Sequence, residues 1–226
     1  MKIRLPGIFK RRKRREDDDP RVRVTRDISP SDFVLVNDQS YIYREKVLPQ
    51  ASTVEFWEGS GLVNFLANSP FLKSEILDVG CGSGEIDIIL AGKGFTVTGI
   101  DISPYAINMA QALAEKYPHC RDRVRFVAGD MESISFERRF SSAIISHTFE
   151  HVINPDRVME NVIRFLEPGS HILVAVPNKK AWRDRTHLRY YTERSMKKFL
   201  SRYSDSPIVD VDNHERMIFA SAKIRS

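Results

Sequence analysis

The sequence predicts an α/β domain: a parallel sheet wound by helices on both faces, with a small helical extension in front of it. Three observations predict it. From residue 75 onward, short apolar runs alternate with stretches of helical spacing, the order that parallel strands and right-handed crossovers require. The first run ends in a glycine-rich turn that opens a helix. Acidic residues close the next two runs, at the edge where open parallel sheets bind ligands.

The elements follow in order. Residues 31–72 mix aromatic and polar groups; Val54, Phe56, Trp57, Leu62, Val63, Phe65 and Leu66 predict one or two helices, with Gly59 and Gly61 blurring their boundary. Trp57 and Tyr43 are candidates either for a lid or for the core. Residues 75–79 read as the first strand, and Ile86, Ile89 and Leu90 continue as a helix that stops near Gly92 and Gly94. Residues 96–100 form a second β-rich run. Ser103-Pro104 then supplies an N-cap and a first-turn proline for a helix from Ala106 to Lys116. Val124–Val127 and Ser142–Ser146 read as strands three and four. Pro155 opens a helix running through Leu166, which Pro168-Gly169 ends; His171–Val176 is a fifth strand. Thr192–Tyr203 reads as a helix capped by Thr192, and residues 209–211 and 217–220 pair as the last two strands.

Composition narrows the function classes. The chain has 226 residues and a formal net charge of +5. Residues 1–15 hold eight Lys or Arg and no acid, while the rest holds 27 bases and 30 acids. The positive charge therefore belongs to the first segment. Residues 1–30 read as a disordered basic tail. Through residues 2–15 this tail could meet an anionic membrane surface, since Ile3, Leu5, Ile8 and Phe9 lie beside the basic cluster, or nucleic acid. Two cysteines, Cys81 and Cys120, make no disulfide framework. No apolar run approaches the roughly 18 residues that span a bilayer. The expected location is cytoplasmic, with the tail able to hold the protein at a membrane.

The turn itself is Asp78-Val79-Gly80-Cys81-Gly82-Ser83-Gly84. Glycine serves where the chain turns sharply or a ligand approaches the backbone. The helix start behind it offers free N–H groups and a positive dipole end to an anionic group. A dinucleotide motif needs a sixth-place glycine, and Glu85 stands there, where it would repel a pyrophosphate; no Walker lysine follows either. Asp101 ends the second strand, about 20 residues on, where an acid reaches the ribose hydroxyls of a nucleoside cofactor. Asp130 follows the third strand and could accept the amine of adenine, with Met131 packing on the ring.

These segments resemble the motifs of class I S-adenosylmethionine-dependent methyltransferases of the small-molecule, ubiquinone-pathway-like branch. Residues 76–84 resemble the first motif, residues 97–103 the second-strand motif, residues 128–131 the third, and Phe165-Leu166-Glu167-Pro168-Gly169-Ser170 the helix-turn-strand before the closing hairpin. The resemblance implies a Rossmann-like sheet of seven strands in the order 3-2-1-4-5-7-6, the last strand antiparallel, over residues 73–226, with residues 31–72 as a helical extension or lid. It implies S-adenosylmethionine as cofactor, held by Asp78, Gly80, Cys81, Gly82, Gly84, Asp101, Ile102, Asp130 and Met131.

The fourth strand ends in Ser146-His147-Thr148-Phe149-Glu150-His151. An oxygen or nitrogen acceptor must lose a proton, and a positioned base adds about 10²–10⁴-fold. His151 is the first candidate for base, with Glu150 orienting it or acting itself; His147 is expected to line the cofactor pocket. His147–His151 also spells a zinc-peptidase pattern, but it follows a strand here and not a helix. Ubiquinone-pathway O-methyltransferases show E-x-x-E-H in a metal-associated segment; His147 replaces the first Glu, and no metal is expected. After the fifth strand, residues 182–192 resemble the His-x-Arg-x-Tyr/Phe-Thr segment of small-molecule methyltransferases, which makes His187, Arg189 and Tyr190 candidates for binding the acceptor.

The expected function is methyl transfer to an oxygen or nitrogen of a small molecule. Two other readings stay open: an RNA or protein methyltransferase recruited by the basic tail, and a cofactor-binding module without catalysis. The Asn/Asp-Pro-Pro-Tyr/Phe motif of base N-methylation is absent after the fourth strand, which disfavours amino-methylation of bases.

Overall fold

The computed structural model describes residues 28–178, 186–214 and 216–225. The basic run of residues 2–15 and Trp182 to Arg185 lie outside the described residues. Helix α1 spans Pro30–Val47; Ser29 caps it, its hydroxyl accepting from Asp32 N at 3.2 Å, and Pro30 presets the first turn. A 3₁₀ turn, Pro49–Ser52, leads to the short α2, Val54–Trp57. Gly59 turns the chain at φ 79°, and Ser60 caps α3, Gly61–Ala67, accepting from Val63 N. The remaining order is β1 (Ile76–Val79), α4 (Glu85–Gly92), β2 (Val97–Asp101), α5 (Pro104–Lys116), β3 (Val124–Ala128), β4 (Phe140–Ser146), α6 (Pro155–Arg164), β5 (Leu166–Pro177), α7 (Glu193–Leu200), β6 (Ile208–Asp212) and β7 (Met217–Lys223).

The seven strands form one sheet in the order β3-β2-β1-β4-β5-β7-β6. Strands β1 to β5 run parallel, and β7 is antiparallel to both β5 and β6. Alternation along the strands sorts the core into two layers. Leu77, Ala143, Ile145, Ile172, Val174 and Ile218 face α6 and α7. Ile76, Ile144, Leu173 and Phe219 face the other way, toward Leu62 and Leu66 of α3 and Leu90 of α4. A sheet buried on both faces explains the near-continuous apolar runs of its central strands.

Two boundaries differ from the sequence reading. Helix α6 stops at Arg164, and Leu166 begins β5, where it pairs with Phe140 across a register shift before Ser142. Pro168-Gly169 is therefore a bend inside the strand, with Gly169 at φ 75°, not a helix stop. The second difference is α1, 18 residues long. Its apolar residues show almost no helical periodicity, because much of its inner face makes polar contacts.

Candidate active site

The turn after β1, the C-terminal end of β2 and the start of α5 lie beneath α1, which reaches Ser83, Asp101 and Ser103. Gly80 N and Cys81 N both donate to Ile100 O, at 2.7 and 3.0 Å, which binds the turn to β2. Gly80, Gly82 and Gly84 all lie at positive φ. At Gly80 a Cβ would stand 2.2 Å from Thr148 Oγ1, and at Gly84 one would stand 2.7 Å from Phe126 of β3. Both positions thus need glycine for conformation and for space. Thr148 is fixed by donating to Val79 O at 2.8 Å, so the segment after β4 is locked to the turn after β1. Cys81 is buried, and burial raises its thiol well above the ordinary value.

Asp101 is buried at the end of β2. Its Oδ2 accepts from Gly82 N and from Tyr41 OH, both at 3.0 Å, and its Oδ1 from Ser103 N at 2.9 Å. Burial makes it a weaker acid than an ordinary aspartate, opposed by the Ser103, Gly82 and Tyr41 hydrogen bonds. Ile102, like Ile153 and Leu188, packs against Phe33 and Val36 of α1. Asp130 is exposed and accepts from Glu132 N at 2.8 Å. Met131 is buried in the core cluster with Leu77 and Ile100, beneath the loop after β3. Asn161 of α6 fixes the loop by donating to Met131 O and Ile134 O, each at 2.9 Å.

Under the glycine turn lie two buried carboxyls, Asp78 of β1 and Asp87 of α4. Burial pushes Asp78 up to about 7, held back by its contact with Asp87, and burial with the Asp78 charge raises Asp87 further. Two such groups cannot both ionise cheaply, so they titrate as a pair. Each holds its proton more tightly folded than unfolded. The stability they contribute is complete below the ordinary value of 3.8 and drains as pH rises through about 7. Urea midpoints of the unliganded protein are expected to decline across that window, and Asp87→Asn to flatten the decline; an unchanged slope in the variant would refute the pairing.

The segment after β4 builds the polar cluster. His147 sits at φ 51°, uncommon for a residue with a Cβ, while its N–H donates to Ala175 O at 2.8 Å. Glu150 is 2% exposed, with His147 Nδ1 at 3.5 Å and His151 Nε2 at 3.9 Å from its Oε1. Burial pushes this carboxyl up, but His147 and His151 outweigh it and hold it below its ordinary value. His151 Nδ1 donates to Thr186 O at 3.2 Å, since a carbonyl only accepts. His187 stacks edge-on against both His151 and Tyr190, with centroids at 4.8 and 5.6 Å. Glu150, His151 and His187 each bring one donor atom to within 4.8 Å of the others, a set that could hold a divalent cation.

Arg189 reaches back to the loop after β4. Its guanidinium donates to Phe149 O at 2.7 Å, Ile153 O at 2.8 Å and Val152 O. Those three carbonyls hold it as a clasp on the loop after β4. Trp57 belongs to the core, donating to Ala51 O at 2.9 Å and packing between α3 and α4.

Sequence reasoning missed the contribution of α1. Arg44 donates to Ser83 and lies 3.6 Å from Glu85, Asp38 accepts from Ser103 Oγ and Tyr105 N, and Glu45 accepts from Tyr105 OH at 2.7 Å. Single polar residues on a helix carry no pattern that would have revealed this. A cavity of about 320 Å³ lined by Phe65, Phe71, Ile208 and Phe219 lies apart, at the β6 side of the sheet.

A glycine turn, an acid ending β2 and a polar cluster ending β4, on a sheet of this order, define the nucleoside-cofactor class of α/β proteins. The chain belongs to the methyltransferase-domain family, whose profile matches residues 55–204. It is 28% identical over 158 residues to sterol 4-C-methyltransferase strm-1 of Caenorhabditis elegans, covering 62% of this chain and 46% of the relative. It is 30% identical over 117 residues to the ubiquinone biosynthesis O-methyltransferase of Rickettsia akari, covering 51% and 45%. The chain thus spans about half the length of these curated relatives. Among solved structures, the DhpI–SAH complex superposes with a TM-score of 0.65 at 18% identity, covering 85% of this chain and 97% of that one. The glycopeptide N-methyltransferase MtfA with sinefungin superposes with a TM-score of 0.62 at 16% identity, covering 74% and 87%. These likenesses establish the fold as Rossmann-like. Among the described residues no helix is long and apolar enough to cross a membrane.

Proposed function

We propose that the protein transfers a methyl group from S-adenosylmethionine to an oxygen or nitrogen of a small molecule. The observation that carries this is the convergence of the Gly80–Gly84 turn and the buried Asp101 carboxylate on one edge of the sheet. Relatives named for ubiquinone biosynthesis and for sterol methylation support a small-molecule acceptor.

The turn, Cys81 included, and Asp78 receive the amino-acid end of the cofactor at the start of α4. Asp101 takes the ribose hydroxyls, Ile102 flanks them, and Asp130 stands at the adenine edge. When bound, the cofactor supplies an already activated methyl on a sulfonium. The chain's task is then to align the acceptor and remove its proton. His147 lines the pocket, His151 with Glu150 takes the proton, and His187 and Tyr190 place the acceptor, while Arg189 keeps that loop in shape. The reading needs no metal, although Glu150, His151 and His187 could hold one. The tail's expected contact with an anionic membrane or nucleic acid is a separate proposal that does not alter the chemistry.

Calorimetry with S-adenosylhomocysteine should show one binding site per chain. Label from the methyl-labelled cofactor should then appear in the small-molecule fraction of a cell extract, with or without EDTA. No binding would end the proposal; label in RNA or protein would favour recruitment of a macromolecule.

A further inference from the structure

Helix α1 occupies the place that the cofactor reading assigns to a ligand. Asp101 has two oxygens, each with two acceptor positions. Gly82 N–H and Tyr41 OH fill both positions on Oδ2, and Ser103 N–H takes one on Oδ1. One position remains, whereas a ribose diol brings two hydroxyls. The Tyr41 ring also lies over the turn, its hydroxyl 3.1 Å from where a Gly82 Cβ would stand. The helix is fastened there by contacts on both sides of Tyr41. Asp38 holds Ser103 and Tyr105, Arg44 holds Ser83 and faces Glu85, and Glu45 holds Tyr105.

We propose that α1 is an autoinhibitory latch: Tyr41 OH stands in for a ribose hydroxyl on Asp101, and the cofactor binds only when the helix lifts off. This rests on the proposed function and deepens it. The observed affinity is then the intrinsic affinity reduced by the fraction of molecules with the helix lifted. Weakening the latch raises that fraction and tightens binding. A residue that clasped the bound cofactor would do the opposite.

Two substitutions and one exchange measurement separate these cases, with S-adenosylhomocysteine as probe on the full chain. Tyr41→Phe removes the hydroxyl and keeps the ring. Asp38→Ala removes a fastening that lies on Ser103 and Tyr105. Each should lower the dissociation constant about three- to tenfold, the worth of a hydrogen bond or two. Amide exchange in residues 33–44 of the unmodified chain should quicken when the probe is added. An unchanged or weaker affinity in both variants, or greater protection of α1 on binding, overturns the latch while leaving the cofactor site standing. If neither the parent chain nor either variant binds the probe, the cofactor reading falls and the latch falls with it.

Discussion

Replacing Asp101 by alanine weakens binding of S-adenosylhomocysteine by about 10²-fold or more, because each hydrogen bond to a buried charged group is worth about 1.5–3 kcal/mol and a ribose offers two. The variant also frees Tyr41, which works in the opposite direction through the latch, so the net loss is smaller than the sum of the two ribose bonds. The fold should tolerate the change. Burial already raises the Asp101 carboxyl, so its ionised form is costly to bury, and the hydrogen bonds from Gly82, Ser103 and Tyr41 oppose that cost. Calorimetry measures the affinity, and a thermal melt without ligand checks the fold. A dissociation constant within threefold of the parent, in a variant that melts normally, would remove Asp101 from the site and with it the reason for placing a nucleoside there.

The parts of this site that were legible in the sequence are those whose signal is local. The turn at Gly80–Gly84, Asp101 at a strand end, the Ser103 cap and the paired strands β6 and β7 all follow from spacing within a few residues, and the structure places each as expected. What spacing does not show is which way a side chain turns. Nothing near Arg189 in the sequence announces the three carbonyls around its guanidinium. Nor does the sequence announce that Met131 joins the core cluster. Contacts between residues distant in sequence left no trace at all: Tyr41 reaches Asp101 across 60 positions, and Thr148 reaches Val79 across 69. Helix α1 was hidden for a related reason. Period-based reading finds helices that bury an apolar stripe, and this one is fastened to the site largely by hydroxyl, carboxylate and guanidinium groups.

The contact between Gly80 and Thr148 gives the largest expected effect on stability. Gly80→Ala places a Cβ at φ 78°, which costs an L-residue about 1–2 kcal/mol. The same atom meets Thr148 Oγ1 at 2.2 Å and Cγ2 at 2.9 Å. Thr148 has nowhere easy to go, since its one hydroxyl proton is shared between Val79 O and Ser146 O, so overpacking adds about 1–3 kcal/mol. Together the substitution should cost about 2–5 kcal/mol and, at about 2–4 °C per kcal/mol for a chain of this size, lower Tm by roughly 4–20 °C. A double-mutant cycle divides the two causes. In a Thr148→Ala background the oxygen and methyl overlaps are gone, and only the backbone strain and a tight approach of 3.1 Å to the remaining Cβ persist. Gly80→Ala should then cost about 1–2 kcal/mol, with the difference from the parent background measuring the side-chain overlap. Equal penalties in the two backgrounds would mean that Thr148 does not rest on the turn, and that the segment carrying His147, Glu150 and His151 is not held against the cofactor loop by this contact.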